Sequence, residues 1–231
     1  MVIYIVILAT AAALVLGAIW GAFGPLPRTV QGFVVAMAGG ALIVALMNDM
    51  VRPALDHAPL WMGALALAGG ALAFTGLNHM IRKRGSGGGG KGLLLAVTAD
   101  GVPENIALGT ALIGSDPRAV AALVVAILLS NLPEAAGGAR AMIEAGHSRA
   151  KVIGIWVLAA ALLSAAAILG YTVLSGLGDA PLALIHCIAA GAVVASLAVT
   201  VFPEAFRRDH DLSGVAVAFG LILALAFGQL G

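Results

Sequence analysis

The sequence is poor in what soluble enzymes and binding domains use. Charged residues make up 10% of its 231 residues and aromatic residues 5%. One cysteine, Cys187, excludes an internal disulfide framework and any multi-cysteine metal cluster. No HExxH, GxSxG or phosphate-binding loop occurs, so the familiar signatures of metalloproteases, serine hydrolases and nucleotide-hydrolysing enzymes are absent. A net charge of +1 gives no reason to expect a nucleic-acid partner.

What is present is apolar. Hydrophobic residues reach 61% and mean hydropathy is +1.08, far outside the range of soluble domains. Eight apolar stretches run approximately Val2–Ala22, Val30–Met50, Pro59–His79, Gly92–Ile113, Ala119–Ile143, Ile153–Leu174, Pro181–Phe206 and Leu212–Leu230. Each is long enough, at about 1.5 Å of rise per residue, to cross a hydrocarbon core of about 30 Å. The expectation is an all-α integral membrane protein, an eight-transmembrane-helix bundle forming one domain over residues 1–231. The first stretch has no Lys or Arg ahead of its apolar core and is too long for a signal h-region, so it reads as a span.

The basic residues are unevenly distributed. With eight alternating spans, one side of the membrane receives Arg28, Arg82, Lys83, Arg84, Lys91, Arg140, Arg149, Lys151, Arg207 and Arg208, and the other only Arg52 and Arg118. By the positive-inside rule this places both termini outside the cytoplasm, in a cell (plasma or inner) membrane. The glycine run Gly85–Gly90, within a basic cytoplasmic loop at about 80–92, reads as a flexible linker.

Acidic residues interrupt this apolar background in a pattern. Asp100-Gly-Val-Pro-Glu-Asn105 in the fourth stretch is echoed thirty residues later by Ser130-Asn-Leu-Pro-Glu-Ala135 in the fifth, aligning Pro103 with Pro133 and Glu104 with Glu134. A third Pro-Glu-Ala stands at Pro203 to Ala205. Proline inside a helix lacks a donor and crowds the carbonyl four residues back, so breaks are expected at Ala99 and Leu129, next to a lined cavity. Helical spacing puts Asp100 and Glu104 on one face, and Ser130, Asn131 and Glu134 on another. Three buried acids cost about 8–10 kcal/mol if uncompensated. No Lys or Arg is expected at their depth, which leaves protonation or a bound cation to neutralise them. Clustered carboxylate and amide oxygens are ligands for divalent metals.

At these segments the chain resembles the ZIP family of divalent metal transporters, whose fourth and fifth helices carry His-Asn-x-Pro-Glu-Gly patterns. The stretch from Ala189 to Pro203-Glu-Ala205 is similar to the family's seventh helix. The resemblance implies a metal site built on Glu104 and Glu134, with Asn131 at the amide position of the fifth helix. Asp100 and Ser130 occupy the two positions where His is common, Gly101 stands where Asn is common, and Asn105 where Gly is usual. Asp100, Glu104, Asn131 and Glu134 are therefore the expected metal ligands, with Asn105, Ser130 and Glu204 as weaker candidates. An oxygen-only set suits manganese, iron or magnesium better than zinc.

The expected activity is movement of zinc, iron or manganese toward the cytoplasm as substrate, with no prosthetic cofactor and no enzymatic turnover. Alternatives are metal export, a channel-like pathway, or a membrane-embedded metalloenzyme built on the same acids. Expected partners are the divalent ion and the lipid bilayer, with a homodimer as the assembly to test. Asp49 and His186, at the outer ends of spans two and seven, are candidates for an entrance. His79, His147 and His210 read as solvated residues at helix ends.

Overall fold

The structure, a computed structural model, describes the backbone of residues 2–24, 27–84, 90–113, 121–209 and 211–229, and their side chains apart from those at 2, 82, 84, 90–97, 99–100, 121–123 and 227–229. The glycine run at 85–89, the turn at 114–118, His210 and the side chain of Asp100 thus lie outside the described residues.

Among the described residues the chain is wholly helical, in eight unbroken segments that coincide with the apolar stretches. These are α1 (Val2–Phe23), α2 (Arg28–His57), α3 (Leu60–Arg84), α4 (Gly90–Ala111), α5 (Ala121–Glu144), α6 (Arg149–Leu174), α7 (Asp179–Arg208) and α8 (Ser213–Gln229). On their described residues, α1, α2, α3, α6 and α7 are long and apolar enough to cross a membrane, and α8 is a shorter apolar helix. This is a helical membrane protein.

Exposure differs from helix to helix, and α7, with Ile188, Val194 and Phe206 exposed, is no more buried than α1. Leu8 on α1, Leu72 on α3, Leu169 on α6 and Ile222 on α8 are all more than half exposed, as expected where lipid replaces water outside the bundle. Among the described residues α4 and α5 expose no large apolar side chain. The term inner is used for α2, α4, α5 and α7, which between them carry every acidic candidate, and outer for the other four.

Each inner helix is packed against one outer helix, in the pairs α1–α5, α3–α7, α2–α8 and α4–α6. Glycine makes this closeness possible. A methyl group at Gly70 would strike the carbonyl of Ile188, and one at Gly191 the carbonyl of Leu67, so α3 and α7 approach backbone to backbone from both sides. Gly40 and Gly220 do the same for α2 and α8. In lipid, where apolar side chains gain nothing by leaving their surroundings, such small-residue contacts are the main source of helix association. The four pairs map onto one another when α1 is exchanged with α6, α2 with α7, α3 with α8 and α4 with α5.

The exchange is visible in α2 and α7, which run antiparallel. Gly32 near the start of α2 lies beside Ala205 and Arg208 at the end of α7, while Ala54 and Ala58 at the end of α2 pack with Ala183 and Cys187 near the start of α7. Each helix widens into one π-helical turn, Met47–Val51 in α2 and Leu197–Val201 in α7, where the amide of Arg52 reaches the Met47 carbonyl and that of Phe202 the Leu197 carbonyl, five residues back. Pro53 and Pro203 explain both turns: neither ring can donate, each crowds the carbonyl four residues back, and inserting a residue relieves the crowding.

The helix breaks expected at Pro103 and Pro133 are not present. Both prolines sit inside continuous helices. For Pro133 the physical reason is local support. Gly17 and Gly21 of α1 abut the carbonyls of Leu132 and Ala136, and buried Gln31 of α2 donates from Nε2 to the Pro133 carbonyl at 2.6 Å. One lost ladder bond does not end a helix whose flanking turns are clamped on two sides. At its C-terminal end, α5 gives way to a turn at Gly146, whose φ of 88° lets the amides of Gly146 and His147 turn back to Ile143 and Met142.

The adjacent glycines Gly69 and Gly70 provide a controlled test of pairing. Nothing lies within 4 Å of a Cβ built at Gly69, whereas at Gly70 it meets the Ile188 backbone. Gly70→Ala is expected to lower stability by about 1–3 kcal/mol through overpacking, and Gly69→Ala to be neutral. Thermal unfolding of the two variants in the same detergent checks this; equal behaviour would refute backbone contact as the basis of the α3–α7 pair.

Candidate metal centre

The inner helices bring several of the expected residues together. Ser130 Oγ on α5 stands 3.4 Å from Glu104 Oε1 on α4 and 3.1 Å from the Ile127 carbonyl of its own helix. The two repeated segments therefore meet through a hydroxyl and a carboxylate, as antiparallel neighbours joined by a short connection should. Ser130 also lines a small cavity of about 30 Å³ with Glu134, Thr200, Glu204 and Arg208. Two of the three Pro-Glu glutamates, from α5 and α7, thus share one space.

The amides behave differently from each other. Asn131 is only 3% exposed, and its Nδ2 is buried without a hydrogen-bond partner among the described residues. Rotating the amide by half a turn exchanges its nitrogen and oxygen, so the unsatisfied position is equally a place for its carbonyl oxygen. Asn105, also buried, donates from Nδ2 to the Gly101 carbonyl at 2.9 Å, which ties its amide nitrogen into its own helix. Gly101 itself faces Leu163 on α6, so the position that carries Asn in the family pattern serves here as a packing contact.

One residue overturns the expectation that no cation lies near the acids. Arg208 is hydrogen-bonded to Glu204 four residues earlier and lines the same cavity as Glu134. The guanidinium reaches there because α7 ends beside the start of α2, with Gly32 leaving room for the Arg208 side chain. Glu204, a weaker ligand candidate by sequence, is thus ion-paired with Arg208 and lines the cavity as well.

Arg208 also borders a larger cavity of about 600 Å³, which Arg28, Gln31, Arg140, Glu144 and Arg207 line as well. Glu144 takes an ion pair from Arg140 at 3.0 Å and another from Arg28 at 4.0 Å. Arg208 stands between the two spaces, with the carboxylates on one side and the arginine-lined vestibule on the other. A Cβ at Gly137 would meet the ends of the Gln31 and Arg208 side chains, which would have to move aside.

Among the described residues no three of His, Cys, Asp and Glu come close enough to hold one ion. Asp100 is on α4, one turn before Glu104, and its side chain is outside that search. As arranged, Glu134 and Glu204 line one cavity, Ser130 on its wall stands next to Glu104, and Arg208 is paired with Glu204.

The residues that sequence reasoning missed are Arg208, Gln31 and Thr200. Arg208 has a local signal in its spacing of four from Glu204. Gln31 has none, because its partner lies 102 residues away. No family model and no curated protein matches the chain.

A guanidinium held beside carboxylates competes with any mobile cation for them. Arg208→Gln is therefore expected to tighten Mn²⁺ binding by about tenfold, equivalent to about 1.4 kcal/mol. Equilibrium dialysis of purified protein measures it, and unchanged affinity would mean that the guanidinium does not compete.

Proposed function

We propose that the chain is a divalent-cation transporter of the ZIP type, an eight-span bundle with both termini outside the cytoplasm, and that it carries a transition metal inward through the carboxylates of α4, α5 and α7. The observation that supports this reading most is the sharing of one small interior cavity by Glu134 and Glu204, with Glu104 brought to its edge through Ser130. Carboxylates are placed inside a membrane bundle at a cost of several kcal/mol, and a pathway for cations is the usual return for that cost.

The elements have separate roles in this reading. Glu104, Glu134, Asn131 and Asp100 hold the ion in mid-passage, and Glu204 receives it on the way out. When the site is empty, Arg208 lies against Glu204 and supplies positive charge that the ion would otherwise bring. The ion then passes into a vestibule whose Arg28 and Arg140 are already paired with Glu144, which lowers their repulsion. The near-exchange of α1–α3 with α6–α8 is the kind of internal repeat that lets two halves rock about a central site.

Two substitution experiments test the proposal. In proteoliposomes, Glu104→Gln and Glu134→Gln should each reduce Zn²⁺ and Mn²⁺ uptake to the level of empty vesicles; undiminished uptake would remove these glutamates from the pathway. Asp100→His, which restores an imidazole at the family position, should move the order of preference toward zinc. An unchanged order would show that this position does not contact the ion.

A further inference from the structure

A second cavity lies at the opposite end of the α2–α7 pair. It measures about 290 Å³ and is lined by Asn48, Asp49 and His57 from α2 and by Asp179 and His186 from α7. The π-helical turn at Met47–Val51 contributes both Asn48 and Asp49 to its wall. Helix widenings of this kind recur at functional sites because they rotate side chains out of the ordinary register.

Two atoms in this wall lack partners. Asp49 Oδ2 and His186 Nε2 are each buried with no hydrogen bond among the described residues. Arg52, one turn beyond Asn48, donates to Asn48 Oδ1 at 3.4 Å rather than to Asp49. The His186 ring lies near the main chain of Thr110 on α4, and its Nε2 is the nitrogen left without a partner. In a metal-binding imidazole one nitrogen is held, commonly by a carbonyl, and the other is presented to the ion.

Volume determines the state in which an ion can occupy each cavity. Each water needs about 10–15 Å³ of cavity space, so a six-water shell needs about 60–90 Å³. The cavity of about 290 Å³ accommodates a hydrated ion, and the interior cavity of about 30 Å³ does not. An ion moving from one to the other must exchange water for protein ligands.

We propose that the cavity formed by the end of α2 and the start of α7 is a loading site for a hydrated divalent transition-metal ion, with Asp49 and His186 as the groups that replace its first waters. No three-ligand cluster forms among the described residues, so an ion here would have to keep most of its water shell. An imidazole and a carboxylate favour zinc, iron or manganese over magnesium, which gives up water reluctantly. Selection against magnesium then takes place here, ahead of the oxygen-only interior site. The inference rests on the transport reading for its purpose but not for its chemistry.

X-ray absorption at the zinc edge, on purified full-length protein with less than one equivalent of Zn²⁺, tests the site without altering it. Outer-shell scattering from imidazole is expected, and oxygen-only scattering would overturn the proposal. His186→Gln should abolish that signal, and Asp49→Asn should weaken Zn²⁺ binding by about tenfold or more, with the elution profile in detergent unchanged. Zn²⁺ affinity and scattering left intact by both substitutions would also overturn it. The same measurement on Glu104→Gln/Glu134→Gln protein separates the two ideas. Retained imidazole scattering supports the loading site whatever those substitutions do to uptake, and its loss there would place the imidazole ligand outside an independent outer site, against the proposal.

Discussion

Backbone contact between inner and outer helices is the constraint on which the remaining architecture depends. Bulky side chains at the crossings would hold the helices of each pair apart, and the inner four would no longer be close enough to share cavities. Gly70 with Gly191, and Gly40 with Gly220, bring α7 and α2 against their outer partners over bare backbone. The outer helices then carry most of the lipid-facing Leu and Ile residues, and the inner helices are free to carry polar ones. Alanine extends the same effect through the core, where Ala18, Ala36, Ala126, Ala135 and Ala190 are completely buried.

Within that frame, prolines determine where the bundle opens. Four of them lie within the inner helices, and they act in two ways. Pro103 and Pro133 lie in helices that remain regular, and around Pro133 the packing of α1 and the Gln31 amide hold the chain on both sides. Pro53 and Pro203 lie nearer the ends of α2 and α7, and there the helix widens by a residue. Each widened turn contributes to a cavity wall, Asp49 at one end of the bundle and Thr200 at the other. Since α2 and α7 run antiparallel, a single device used twice produces one cavity at each end.

The positions of these features along the chain were legible from sequence, and their directions were not. Apolar length located the helices seen among the described residues, because burial in lipid requires continuous apolar runs whatever the neighbours are. The alignment of Pro-Glu segments correctly brought α4 and α5 together at Ser130 and Glu104. Periodicity along one helix does not say which neighbour a face meets. Gly101 turned out to serve α6 packing, and Arg208, counted by sequence among cytoplasmic charges, reaches back to Glu134's cavity along a flexible stem. The effect of a proline depends on what supports the turn around it, and that support comes from residues as distant as Gln31. Asp49 and His186 are 137 residues apart by number, and only the antiparallel meeting of α2 and α7 makes them neighbours of one space.

Charge asymmetry between the two ends gives the proposed pathway its direction. The cavity at the end of α2 presents two aspartates and two histidines, while the one at its start presents four arginines and a single glutamate. A cation is attracted to the first and repelled from the second, except where Glu144 and Glu204 neutralise the basic side. In the proposed transport reading, Arg208 would serve as the counter-charge of the empty site. In the empty protein its guanidinium satisfies Glu204 and keeps the interior carboxylates from standing uncompensated in low dielectric, where an unpaired charge is costly. Under the proposed function, an arriving divalent ion would supply two positive charges where the arginine supplies one, and would displace the guanidinium toward the vestibule. Departure of the ion allows Arg208 to return, so that empty and loaded states each have their acids compensated and neither is a deep energetic trap.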